Sequence, residues 1–196
     1  MATDAQCLDA WNAGDAAAGE ALFERYFDGL YRFFASKVGH GIDDLVQETF
    51  LACAENRERV RDGSSFRAFI YGVAWRRLCR KWRDEYSGRA PLNLSRQSVA
   101  DLGPSPSTGL RADEEQAALL DALRQIPAEL QTVVELFYWE GLTSAEIGAV
   151  MSIPDGTARS RLRRAREQLR ELLATAGFGV VDVEASVRLV RSCLDR

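Results

Sequence analysis

The chain has 196 residues, 46% of them hydrophobic, and a formal net charge of −4. That length suits one domain or two small ones, and no apolar run or basic-then-apolar leader calls for a membrane, so a cytoplasmic protein without membrane insertion is expected. Cys7, Cys53, Cys79 and Cys193 form no C-x-x-C pair, His40 is the single histidine, and no glycine-rich phosphate loop is present. These absences argue against a metal centre, a cofactor, a small-molecule substrate and a catalytic site.

The net acidity hides two basic clusters, at 76–83 and at 159–170. Local field steers a polyanion, so the clusters matter more than the total.

Residues 1–15 are mostly small and polar apart from Leu8 and Trp11, and read as a loosely held start. A helix is expected from Ala16, with Leu22, Phe23, Tyr26, Phe27, Leu30, Tyr31, Phe34 and Val38 as its core stripe and Arg25, Arg32 and Lys37 outward. After Gly39-His40-Gly41, Asp43 is a candidate cap for the next helix. There Ile42, Leu45, Val46, Thr49, Phe50 and Cys53 share one face, while Asp44, Gln47, Glu48 and Leu51 share the other. From spacing alone that second strip reads first as a solvated face, with a docking surface as the lesser alternative.

A basic loop, Asn56 to Ser65, precedes a third helix whose core side is Phe66, Phe69, Ile70 and Val73. Further along, Arg76, Arg80 and Arg83 share one face, with Trp75, Cys79 and Trp82 beside them. Aromatics interleaved with arginines suit unpaired nucleic acid, where rings stack on bases and cations follow phosphates. Two core tryptophans with solvated arginines are an equal reading of the same pattern.

From Ser87 to about Gly109 the composition turns to serine, proline and glycine, predicting a linker. Beyond it Leu119, Leu120, Leu123 and Ile126 mark one helix, and Leu130, Val133, Val134 and Phe137 another that starts at Pro127 and ends at Gly141. Thr143 and Glu146 have capping-box spacing before a short apolar helix that breaks at Ser152-Ile153-Pro154. In the long helix that follows, Ala158, Leu162, Ala165, Leu169 and Leu172 form one buried stripe. Six arginines stand between 159 and 170 against one acid, Glu167, whereas a merely solvated helix mixes its signs. Short helix, tight turn and basic helix with small leading residues (Gly156, Thr157, Ala158, Ser160) is a helix-turn-helix with a major-groove reading helix. In the tail, Val183, Val187, Val190 and Leu194 predict a final helix that packs on its own domain or makes a regulatory contact.

Together these motifs resemble the minimal extracytoplasmic-function (ECF) sigma factors of bacterial RNA polymerase, from about Ala16 to Leu173. The resemblance rests on DDLVQETFL, on FRAFIYGVAW, and above all on QIPAELQTVVELFYWEGLTSAEIGAVMSIPDGTARSRLRRARE. It implies an all-α fold with two small helical domains: a sigma region 2-like unit over 16–86 and a region 4-like unit over 113–174. It also implies a flexible linker over 87–112, threaded through the polymerase, and an extension over 175–196. Asp44, Gln47, Glu48 and Leu51 would then dock on the beta-prime clamp helices of the polymerase, whose beta flap is a further implied contact. Arg57, Arg59, Ser64, Trp75, Arg76, Arg77 and Arg80 would hold the melted minus-ten element. Gly156, Thr157, Arg159, Ser160, Arg163 and Arg164 would read the minus-thirty-five element, with Arg161 on phosphate. An anti-sigma factor is a further implied partner, beside core polymerase and promoter DNA. Gly72, Trp75 and Asp155 depart from the family pattern at DNA-facing positions. Two other readings remain: a self-sufficient helix-turn-helix repressor or activator, which would need to dimerise, and a helical adaptor or small enzyme whose basic helix binds protein or RNA.

Overall fold

The computed structural model describes residues 2–60, 66–86, 92–102, 114–178, 182 and 184–187. The fold is all-α. Its described helices are α1 (Asp4–Asn12), α2 (Ala16–Ala35), α3 (Ile42–Asn56), α4 (Phe66–Glu85), α5 (Val99–Leu102), α6 (Glu114–Gln125), α7 (Ala128–Tyr138), α8 (Ser144–Met151) and α9 (Asp155–Thr175).

The first domain is α1 to α4, with α3 against α4 and α1 against α2. The expectation of a loose start is wrong. Thr3 and Gln6 form a capping box, satisfying amides that would otherwise be orphaned, and Cys7 and Leu8 are buried. Asp4 then takes both Arg25 and Tyr26 of α2.

The stripe on α2 needs two corrections. Phe27 and Tyr31 are exposed, at 45% and 41%, whereas Leu22, Tyr26, Leu30, Phe33 and Phe34 fill the core. Arg32 and Lys37, expected outside, are buried because acids from the second domain meet them. Helix α3 begins after a left-handed Gly41 with no side-chain cap, so Asp43 lies in its first turn, where it favours the helix dipole without capping.

The linker is not wholly free of structure. Residues 92–102 run along the second domain: Gln97 and Leu94 carbonyls accept from the amides of Ala128 and Glu129 at 2.9 and 3.2 Å. Helix α7 has no side-chain cap, so these carbonyls satisfy its first amides instead. Val99 and Leu102 are buried, and the Tyr86 hydroxyl donates to the Asp101 carbonyl at 2.6 Å.

The second domain is α6 to α9. Thr143 and Glu146 make the expected capping box in both directions. The turn after α8 passes through Ser152 at φ 56° and brings the Ile153 carbonyl against Gly148, where a Cβ would lie 2.7 Å from that oxygen. Glycine is required there by the close approach. Helix α9 buries Ala158, Leu162, Ala165, Leu169 and Leu173, with Leu172 at the margin. Of the tail, Val187 is buried, its carbonyl accepting from the Trp139 indole at 2.7 Å, and Glu184 meets Arg166 at 3.4 Å. Val183, Val190 and Leu194 lie outside the described residues.

The two domains pack on one another, α8 against α4 and α7 against the end of α2.

Candidate nucleic-acid interface

Two arginine-bearing surfaces and one acidic-apolar surface are candidates. The first is α9. Gly156, Arg159, Ser160, Arg163 and Arg164 are exposed along it, and Thr157 is half-buried at its start. The buried stripe holds the opposite side of the helix against α7 and α8, so these residues face outward together. Arg159 pairs with Asp155 at 2.9 Å and Arg163 with Glu167 at 3.5 Å, both across one exposed helical turn. Such pairs are weak in water and release their cation to a stronger anion at small cost. Arg161 differs from its expected phosphate role. It reaches back to Glu129 of α7 at 2.7 Å, with both side chains mostly covered, and so braces α9 on its own domain. Arg166 is likewise turned inward, onto Tyr138 at 2.6 Å.

The second surface is the α3–α4 side of the first domain. Ala52, Asn56, Phe69, Val73, Arg76, Arg77 and Arg80 line a groove of about 430 Å³. Arg76 and Arg80 are exposed, and Arg77 is held by Glu48 at 3.2 Å. Trp75 is a correction to the stacking role expected of it. It is buried edge-on against Trp82, with ring centroids 6.2 Å apart, and offers no face to a base in this conformation. Arg57 lies 5.4 Å from the Trp11 ring and donates to the Ala54 carbonyl at 3.0 Å, so it too is tied to its own domain. Arg59 ends the short 3-10 turn after α3, and Ser64 lies outside the described residues.

The third surface is the outer face of α2 and α3. Asp44, Gln47, Glu48 and Leu51 are exposed in one strip, Leu51 at 56%. Beside them Phe23, Phe27, Val46, Phe50 and Leu51 line an apolar groove of about 350 Å³ rimmed by Asp43 and Gln47. Sequence reasoning missed the aromatic half of this groove. The signal was available: Phe23, Phe27 and Tyr31 recur every four residues as a strip of their own, and α2 has only one face to bury.

Burial pushes the Cys53 and Cys79 thiols up to about 12, which keeps them protonated and unreactive at neutral pH. Among the described residues no His/Cys/Asp/Glu cluster could hold a metal, and no helix is long and apolar enough to cross a membrane.

A helix-turn-helix domain packed beside a helical domain with a cationic groove is the architecture of the sigma-70 class. Sigma-70 region 2 matches residues 22–87 and sigma-70 region 4 matches residues 116–169. The RNA polymerase sigma factor CarQ of Myxococcus xanthus is 31% identical over 85% of this chain and 95% of its own length. The ECF sigma factor SigL of Mycobacterium tuberculosis is 31% identical over 84% and 94%, and SigW of Bacillus subtilis is 29% identical over 82% and 91%. Among solved structures, CnrH in complex with the cytosolic domain of CnrY has a TM-score of 0.62 at 22% identity, covering 88% of this chain and 97% of that one. RpoE of Bartonella quintana, in complex with the anti-sigma factor NepR, gives 0.61 at 20% identity over 79% and 96%. The chain belongs to the ECF RNA polymerase sigma factors. Its function is to direct transcription initiation at promoters, and a stand-alone helix-turn-helix repressor or activator is not favoured.

Proposed function

We propose that this chain binds core RNA polymerase through the outer face of α2 and α3 and reads two promoter elements with its two cationic surfaces. The clamp-docking strip is Asp44, Gln47, Glu48 and Leu51, extended by the apolar groove of Phe27 and Phe50. Its mixture of carboxylates around exposed apolar side chains suits a partner that is both basic and hydrophobic. Arg159, Ser160, Arg163 and Arg164, with Gly156 and Thr157 allowing close approach, contact the minus-thirty-five element in the major groove. The groove of Arg76, Arg77 and Arg80, with the loop that carries Arg59 and Ser64, holds the separated strand of the minus-ten element.

The observation that carries this reading is the outward row on α9 beside a capped, tightly turned α8. No bond is made or broken by the chain, and it works in the cytoplasm beside the polymerase. RpoE of Bartonella quintana forms a complex with an anti-sigma factor, which supports the same class of partner here. Run-off transcription with core RNA polymerase on genomic fragments tests the proposal. Discrete start sites are expected with the full chain, and their loss is expected with Arg159→Ala/Arg163→Ala. Identical transcripts with and without the chain would sink it.

A further inference from the structure

The arginine row of α9 has a member that does not face out. Arg159, Arg163, Arg166 and Arg170 follow one another at spacings of four, three and four, which puts them on one line of a helix. Arg159, Arg163 and Arg170 are exposed, whereas Arg166 is half-buried. Its guanidinium donates to the Tyr138 hydroxyl at 2.6 Å and lies 5.4 Å from the Tyr138 ring and 5.7 Å from that of Phe137. Glu184, from beyond the end of α9, meets the same guanidinium at 3.4 Å.

The segment that delivers Glu184 is fastened independently of that pair. The Asp182 carboxylate accepts from the amides of Glu184 and Ala185 at 3.0 and 3.3 Å, and the Asp182 carbonyl accepts from the Ser186 amide at 3.0 Å, which closes a turn. Ser186 and Val187 are buried. The Val187 carbonyl takes the indole N–H of Trp139, itself covered, at 2.7 Å. A buried N–H is costly to leave unmet, so this bond anchors the segment whatever Glu184 does. The Glu184–Arg166 pair is of another kind. Both side chains are partly in water, so the pair is weak and open to exchange with a different anion.

We propose that residues 182–187 form a strap that lends Arg166 a carboxylate in place of a DNA phosphate, so that α9 meets duplex DNA with this cation withheld. The inference rests on the proposed reading of the minus-thirty-five element by α9. A reading helix enters the major groove with its N-terminal residues on the base edges. Arg166 stands two helical turns beyond Arg159, about 10 Å further along the axis. The groove is about 8.5 Å deep. With Arg159 at the bases, Arg166 is therefore level with the phosphates of the groove wall, the anions that Glu184 imitates. A phosphate contact adds affinity without sequence information. Withholding one loosens the hold on every duplex alike and leaves the choice among sequences to Arg159, Ser160, Arg163 and Arg164. The strap thus sets how tightly the domain holds DNA, not where.

The test reads the salt dependence of binding to a duplex of arbitrary sequence by fluorescence anisotropy. It compares the full chain, full-length Glu184→Gln and a chain cut after Phe178, the two altered chains also being made with Arg166→Gln. Circular dichroism checks that helix content is kept, and Glu184→Gln leaves the Trp139–Val187 bond in place should the shortened chain be less stable. A freed Arg166 adds one phosphate contact, so the slope of log K against log salt should steepen by about 0.9 in both altered chains. At about 0.15 M salt this amounts to about fivefold tighter binding. Arg166→Gln should return both slopes to that of the native chain. An unchanged slope in either altered chain, or a steeper one that survives Arg166→Gln, overturns the strap. Failure of every chain to bind duplex DNA overturns instead the reading role proposed for α9.

Discussion

The ion pairs of α9 and those between α2 and α7 use the same chemistry in opposite surroundings. Asp155–Arg159 and Glu167–Arg163 stand in water on one helix, whereas Lys37–Glu135 and Arg32–Glu140 are covered on both sides by different domains. Solvated pairs are worth about 0–1 kcal/mol, while removing one member of a buried pair costs about 3–5 kcal/mol. The first kind lets an arginine exchange its carboxylate for another anion at small cost. The second joins two bodies, and only as long as neither partner is lost.

The largest effect expected from this contrast is uncoupling of the domains. Glu135→Ala or Lys37→Ala should reduce interdomain stability by about 3–5 kcal/mol and split urea unfolding into two transitions. A single transition with an unmoved midpoint would show that the pair does not join the domains.

Alkaline titration probes the buried environment. Burial raises the Tyr71 phenol well above its ordinary value of 10.0, with Glu140 adding to the effect, and burial together with Asp4 pushes Tyr26 up to about 12. Both groups keep their proton in the folded state after the unfolded chain has lost it. Their contribution to stability is therefore complete below pH 10.0 and is lost as pH rises through about 12 for Tyr26. Phenolate absorbance should show these two tyrosines ionising late and together with unfolding. Ionisation near pH 10 without unfolding would place them in water.

On the exposed side the effects are smaller and belong to recognition. Arg159→Ala should lower discrimination at one promoter base by about 1–3 kcal/mol and leave thermal stability unchanged, read by competition with single-base variants in the presence of polymerase. Equal loss on all sequences would recast Arg159 as a phosphate contact. Smallest of all, Asp155→Asn should change stability by about 0.5 kcal/mol or less and slightly strengthen DNA binding by removing an acid near phosphate.

Much of α9 was legible in the sequence because its determinants are local. Thr143 and Glu146 are three residues apart, Pro154 marks the turn, and the apolar stripe has helical spacing. The strip of Asp44, Gln47, Glu48 and Leu51 was legible for the same reason. What failed depends on distant partners. Arg32 and Lys37 have the look of surface cations, and their acids, Glu140 and Glu135, lie about a hundred positions further on. Trp75 is buried edge-on against Trp82 of its own helix, a burial that the alternation of aromatics and arginines did not announce. Residues 92–102 have linker composition, but their backbone carbonyls serve α7, and carbonyls carry no sequence signature. The helical α1 was hidden by small residues, although Thr3 and Gln6 already had the spacing of a cap.

Because Gly148 touches the Ile153 carbonyl with no slack, the angle between α8 and α9 is not an adjustable joint. The pair moves as a single preset tool, carried by its domain and not re-aimed by it. On the proposed reading, any change in minus-thirty-five preference must then be written in the outward side chains of α9, one letter at a time, rather than in the tilt of the helix that bears them.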